Sequence, residues 1–286
     1  MRIIQNKEIA YQEVWIRESV DFFSSEVTIV TPQPLQDKSV IIEQGGKSAD
    51  FKIINAEKLD ALTFKYKLIS VNYYKHLNTT FPCFEGLATT EELANLMGIT
   101  QKSYSLTQKV KWDLPQLKIN NLLLALAEGT NFAKGGGVSL FFDISGDLKI
   151  LDYRSIFQFN PLCTVEGLIV KDVINTEWIT RIPGIINIIS YTENGIETEK
   201  LELKQGFSEG TYRGNGDVAR VKNLLANEFW RRYYRSRVIS LTSVISAAVS
   251  VGALVKFRDE NFMVLDVDSR ITKDSTELNI KISKCA

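Results

Sequence analysis

The chain has 286 residues, enough for two or three domains and a sizeable core, and its 44% hydrophobic and 24% charged content is that of an ordinary globular protein. Its 34 Lys plus Arg balance 34 Asp plus Glu, so no global field gathers nucleic acid. Three scattered cysteines, Cys83, Cys163 and Cys285, exclude a zinc-finger spacing and argue against a disulfide framework, and residues 1–10 lack a secretory pattern.

Residues 1–87 read as β. Strands are expected at 13–17 and 25–31, with a bend or one helical turn between them. Pro32 and Pro34 end the second strand, because proline cannot donate to a ladder. Val40, Ile41 and Ile42 mark a third strand before a turn at 44–47, and Phe51, Ile53 and Ile54 a fourth. Leu62, Phe64, Tyr66 and Leu68 alternate with Thr63, Lys65 and Lys67, so one face is wet and one buried.

Residues 88–155 read as a small α/β insert. Thr89 or Thr90 caps a short helix with Glu91 and Glu92 in its first turn; Leu93, Leu96 and Met97 form its apolar stripe and Gly98 ends it. Beyond Trp112 and Pro115, a second helix turns Leu117, Leu122, Leu123, Leu126 and Ala127 inward and stops at Gly129. Residues 134–137 form a glycine-rich connection to a hairpin, 138–142 and 148–151, closed by a turn at 143–147.

Residues 156–286 read as β with one helix. Strands are expected at 168–173 and 185–191, with Asn194-Gly195 turning the chain back into 196–203. Gly206, Gly210, Gly214 and Gly216 read as a flexible connection. Asp217 then opens a helix, about 216–235, with Val218, Val221, Leu224, Leu225 and Phe229 on one side. Residues 238–255 are long and apolar enough to raise a membrane span, but their β-branched content favours buried strands. A turn at 258–261 and a closing strand at 278–282 complete the chain.

Few constellations carry chemistry. Gly45-Gly46-Lys47-Ser48 lacks the first glycine of a phosphate loop, and a strand follows it. Gly214-x-Gly216 lacks the apolar strand of a dinucleotide site. Asp143, Ser145 and Asp147 lack the later glutamate of a calcium hand, so a hairpin turn is expected. Asp266 and Asp268 share a strand face and read as solvated. His76 is the single histidine, so no histidine-based triad or multi-histidine metal site is expected, nor any catalytic residue, metal or cofactor. Arg231, Arg232, Tyr233, Tyr234, Arg235 and Arg237 mix cations with aromatics; a protein interface is favoured over single-stranded nucleic acid.

Several of these pieces, in order, resemble the tail hub proteins at the centre of phage baseplates and related contractile injection machines. They are Trp15-Ile16-Arg17-Glu18-Ser19-Val20-Asp21 with its following strand, the helix ending at Met97-Gly98, Trp112 to Pro115 with its helix, Asp143-x-x-Gly146, and the valine-rich strand at 262–267. Here Gly252 is followed by Ala253, where the family usually has aspartate. The resemblance implies a mainly β fold with an α+β insert: two tail-tube-like β-barrel or sandwich domains, 1–87 and 156–286, around a small α/β module, 88–155. It implies a non-enzymatic virion protein assembled in the host bacterial cytoplasm. Its trimeric ring would join a sixfold tail tube to a threefold spike beside other baseplate proteins, with neither a membrane span nor specific nucleic-acid binding. Alternatives are a tube-initiating or distal tail protein, or a β-rich binding protein.

Overall fold

The computed structural model describes residues 1–21, 23–44, 47–103, 106–131, 137–154, 156, 161–165, 169–175, 183–204, 208–243 and 249–284. The first flank holds β1 (Arg2–Ile4), β2 (Glu13–Ser19), β3 (Glu26–Thr31), β4 (Ser39–Gln44), β5 (Lys47–Lys58), β6 (Phe64–Ser70) and α1 (Val71–Leu77). The expected alternation holds: Val14, Ile16, Val27, Ile29, Tyr66 and Leu68 are buried in one cluster, with Lys65 and Lys67 on the other face. Helix α1 is a departure from the all-β expectation. Ser70 caps it by accepting from the Tyr73 amide, and Tyr73 turns into the insert core.

The middle of the chain follows with β7 (Thr80–Phe81), β8 (Phe84–Ala88), α2 (Thr90–Leu96), β9 (Gln101–Ser103), β10 (Val110–Leu114), β11 (Leu117–Lys118), α3 (Ile119–Gly129), β12 (Val138–Phe142) and β13 (Leu148–Asp152). Thr89 and Glu92 form a reciprocal capping box on α2, and Gly98 adopts φ +70° just beyond it. Leu93 is fully buried and Met97 packs on the same core, whereas Leu96, expected inward, is exposed. On α3, Leu122, Leu123 and Leu126 are buried as expected. This core also takes in Ile69, Tyr73 and Phe81, so it reaches back beyond residue 88.

The last flank holds β14 (Cys163–Thr164), β15 (Ile169–Asn175), β16 (Ile185–Thr192), β17 (Gly195–Glu202), β18 (Glu209–Asn215), α4 (Val218–Arg235), β19 (Arg237–Ser243), β20 (Leu254–Phe257), β21 (Glu260–Thr272) and β22 (Thr276–Lys284). One expectation is corrected and one is met. Gly210 and Gly214 lie in β18, a strand parallel to β16, and not in a flexible loop; residues 205–207, with Gly206, fall outside the described residues. The buried strands expected over 238–255 are present among the described residues. The stretch comprises β19, residues 244–248 outside the described set, a turn at 251–252 and then β20.

The flanks meet in one sheet of order β1-β4-β5-β6-β3-β2-β21-β22-β19-β15, with β20 beside β21 and β14 beside β20. The β2–β21 ladder, Glu13↔Thr272 to Ser19↔Asp266, joins the chain's two ends. Phe262, Met263, Val264 and Leu265 are all buried, because this part of β21 is covered on both faces. Phe229, Trp230, Tyr233 and Tyr234 of α4 belong to the same core. The sheet β17-β16-β18 stands apart and packs on the first half of α4. No helix among the described residues is long and apolar enough to cross a membrane.

Candidate assembly site

The polar centre of the molecule lies at the end of β2. Ser19 and Asp21 turn toward α4 and β21. Ser19 Oγ donates to Asp266 Oδ1 at 2.5 Å. Arg235 grips Asp266 with both terminal nitrogens, Nη1 to Oδ2 at 2.9 Å and Nη2 to Oδ1 at 3.0 Å, and Nη2 also lies 2.6 Å from Asp21 Oδ2. Lys281 approaches Asp266 at 3.3 Å. Burial opposes ionisation of Asp266, but the hydrogen bonds and charge of Arg235 outweigh it and hold the carboxyl below its ordinary range. Asp266 is therefore not the solvated residue the sequence implied. Asp268 is half exposed and pairs with Arg17 at 3.3 Å.

Glu18, one residue earlier, points the other way. It is buried against the hairpin turn of the insert and accepts from Ser25 Oγ at 2.8 Å and the Ile144 amide at 3.1 Å. Burial raises its carboxyl above the ordinary glutamate range. Asp143 and Asp147 of that turn pair with Lys149 and Lys102. Their charge is thus taken up by lysines, and among the described residues no group of three or more His, Cys, Asp and Glu is placed to hold a metal ion.

The six Arg–Tyr residues divide in two. Tyr233 and Tyr234 are 2% and 1% exposed and form an aromatic cluster with Phe229 and Trp230. Arg235 belongs to the ionic seam above. Arg237 is exposed but lies over the Tyr233 ring. Arg231 and Arg232 are exposed and pair with Glu228 of their own helix. The outward surface of this segment is thus Arg231, Arg232 and Arg237, with no aromatic available for stacking on a base.

The remaining candidates carry no site. His76 packs beside Phe81 and Phe142, and burial lowers its pKa. Cys83 is exposed and unpaired. Lys47 and Ser48 begin β5, while Gly45 and Gly46, like Cys285, lie outside the described residues.

Sequence reasoning also missed a cleft of about 1120 Å³ between the insert and the last flank. One wall is β10, where Val110 to Leu114 all line the opening; the other is the first half of α4 with Glu199 and Leu201 of β17. Asn227 closes the floor by donating to the Ala127 and Thr130 carbonyls at 2.8 and 3.3 Å. Nothing in local sequence places residues 110–114 opposite 217–227.

No family model matches the chain, and no curated protein matches it. Solved structures do. The 43 kDa tail protein of prophage MuSo2 from Shewanella oneidensis aligns over 99% of this chain and 98% of its own, with a TM-score of 0.65 and 12% identity. The tail protein from Neisseria meningitidis MC58 aligns over 99% and 95%, with a TM-score of 0.64 and 12% identity. A component of the E. coli type VI secretion system, described as similar in structure to the T4 bacteriophage tail proteins gp27 and gp5, aligns over 100% and 77%, with a TM-score of 0.58 and 8% identity. The chain has the fold of phage tail and baseplate proteins, a mainly β fold with an α+β insert.

Proposed function

We propose that this chain is the non-enzymatic structural hub of a phage tail or baseplate, or of a related injection machine. One observation carries the reading: this chain shares its fold with a phage tail protein over 99% of its own length and 98% of the other's. In this reading three chains form a ring that joins a sixfold tail tube to a threefold spike. Residues 1–87 and 156–286 each supply a tube-like domain, giving six lobes around a channel, and 88–155 is the insert between them. The arrangement would locate the protein in the virion tail, assembled in the host cytoplasm.

The packing supports a role as scaffold. Ser19, Asp21, Arg235 and Asp266 tie the first flank to the last, and Glu18 ties the first flank to the insert. Arg231, Arg232 and Arg237 are then the exposed part of an assembly surface that Tyr233, Tyr234 and Arg235 support from within. The neighbours described only as tail proteins favour, as second reading, another tail structural protein such as a tube-initiating or distal tail protein. End-on electron micrographs of the purified assembly test the first. A ring of six similar lobes around a channel is expected, and particles without a ring overturn it.

A further inference from the structure

The cleft presents an unfinished sheet. All of Val110 to Leu114 line it, although the Trp112 and Leu114 side chains are buried in the insert core. Beside them Lys111 and Asp113 are exposed, with Leu87 and Glu85 opposite them on β8. β10 pairs with β8 alone, and among the described residues its outer edge has no backbone partner. An unpaired edge of five residues, about 17 Å long, is a template for one more strand. The lining mixes Lys109, Lys111 and Arg220 with Glu85, Asp113 and Glu128, which offers no field for a polyanion.

A strand of matching length projects elsewhere in the same chain. β4 leaves β5 at Lys52, and beyond it residues 55–58 pair with β6 only, Glu57 opposite Lys65 and Ala56 opposite Tyr66. Residues 54–62 of this arm are all exposed, with Ile54 at 50% and Leu62 at 73%. An exposed edge bearing large apolar side chains is a liability unless a partner covers it.

We propose that the β5–β6 arm of a second copy seats in this cleft and adds residues 55–58 to β10 as a third, antiparallel strand. This rests on the ring reading above and names one of its contacts. Charge complementarity selects the register. With Glu57 opposite Lys111, Asn55 falls opposite Asp113 on the same wet face. Ala56 then falls opposite Trp112, where the inner face is already filled and only a small side chain fits. Lys58 falls opposite Val110, its stem on the apolar side chain and its ammonium at the rim. Arm into cleft is a head-to-tail contact, the kind that closes rings.

The test is charge reversal in the full chain. Lys111→Glu and Glu57→Lys should each weaken self-association about fivefold and together restore it. Lys111 stands opposite Leu87 in its own chain, so Lys111→Glu should leave thermal unfolding of the separated chains steady, whereas Glu57→Lys sets a lysine opposite Lys65 and should lower it slightly; restored association in the double variant therefore carries the inference. A second arm mixes Lys111→Cys chains with Glu57→Cys chains, both in a background with Cys83, Cys163 and Cys285 replaced by serine. Oxidation should link unlike chains, and neither variant alone should dimerise. Rings that form normally in both single charge variants and give no cross-link overturn this inference while leaving the hub reading standing. An unmodified protein that stays monomeric overturns both.

Discussion

Glu18 and Asp266 lie on opposite sides of the end of β2 and have opposite pH behaviour. Asp266 is held below its ordinary pKa, so its contribution is complete above about pH 4 and is lost as pH falls through its lowered folded value. Glu18 is raised, so its contribution declines as pH climbs from about 4.3 through its folded value. Melting curves from pH 4 to 8 should therefore show Glu18→Gln gaining relative to the parent as pH rises through the raised value. Asp266→Asn should lose about 3 kcal/mol at neutral pH, because it leaves the partly buried Arg235 with Asp21 as its sole acid. Equal effects of the two variants at every pH would contradict this assignment. Gly129 is constrained by packing: an added Cβ would lie 2.4 Å from the Trp112 ring. Gly129→Ala should cost about 1–3 kcal/mol and change Trp112 fluorescence, and an unshifted melting point would refute the close approach. None of these contacts was legible in the sequence, since Ser19 and Asp266 are separated by 247 positions.

At the scale of elements, the signals that were legible are local. The capping box of α2, the Asn194-Gly195 hairpin, the period-two run of β6 and the Asp217 cap of α4 each lie within a few residues. Thr89→Ala should cost about 1 kcal/mol and speed amide exchange in the first turn of α2; unchanged exchange would mean the box adds nothing. The misreadings came from tertiary context. Helix α1 has no long apolar period, and Tyr73 holds it by packing into the insert core. The glycines of β18 look like a loop, but Gly210 faces Pro183 and Gly214 faces the Tyr212 ring, approaches too close for a Cβ. The Arg–Tyr segment read as a surface because both residue types favour interfaces, and its tyrosines instead fill the chain's own core.

At the scale of the whole molecule, β2 and β21 close one sheet from both ends of the chain, and the ionic seam fixes α4 onto that junction. Such a body suits the structural role proposed above. Purified protein should show no hydrolysis of peptidoglycan or glycans; reproducible hydrolysis lost in Asp268→Asn would contradict the structural reading. The central claim is the trimeric hub, and the mass of the purified assembly tests it most directly. With a chain of 32.4 kDa, the account predicts a particle of three chains, about threefold that mass by native mass spectrometry or light scattering. A particle that remains at one chain over all accessible concentrations, or a closed hexamer, would contradict it.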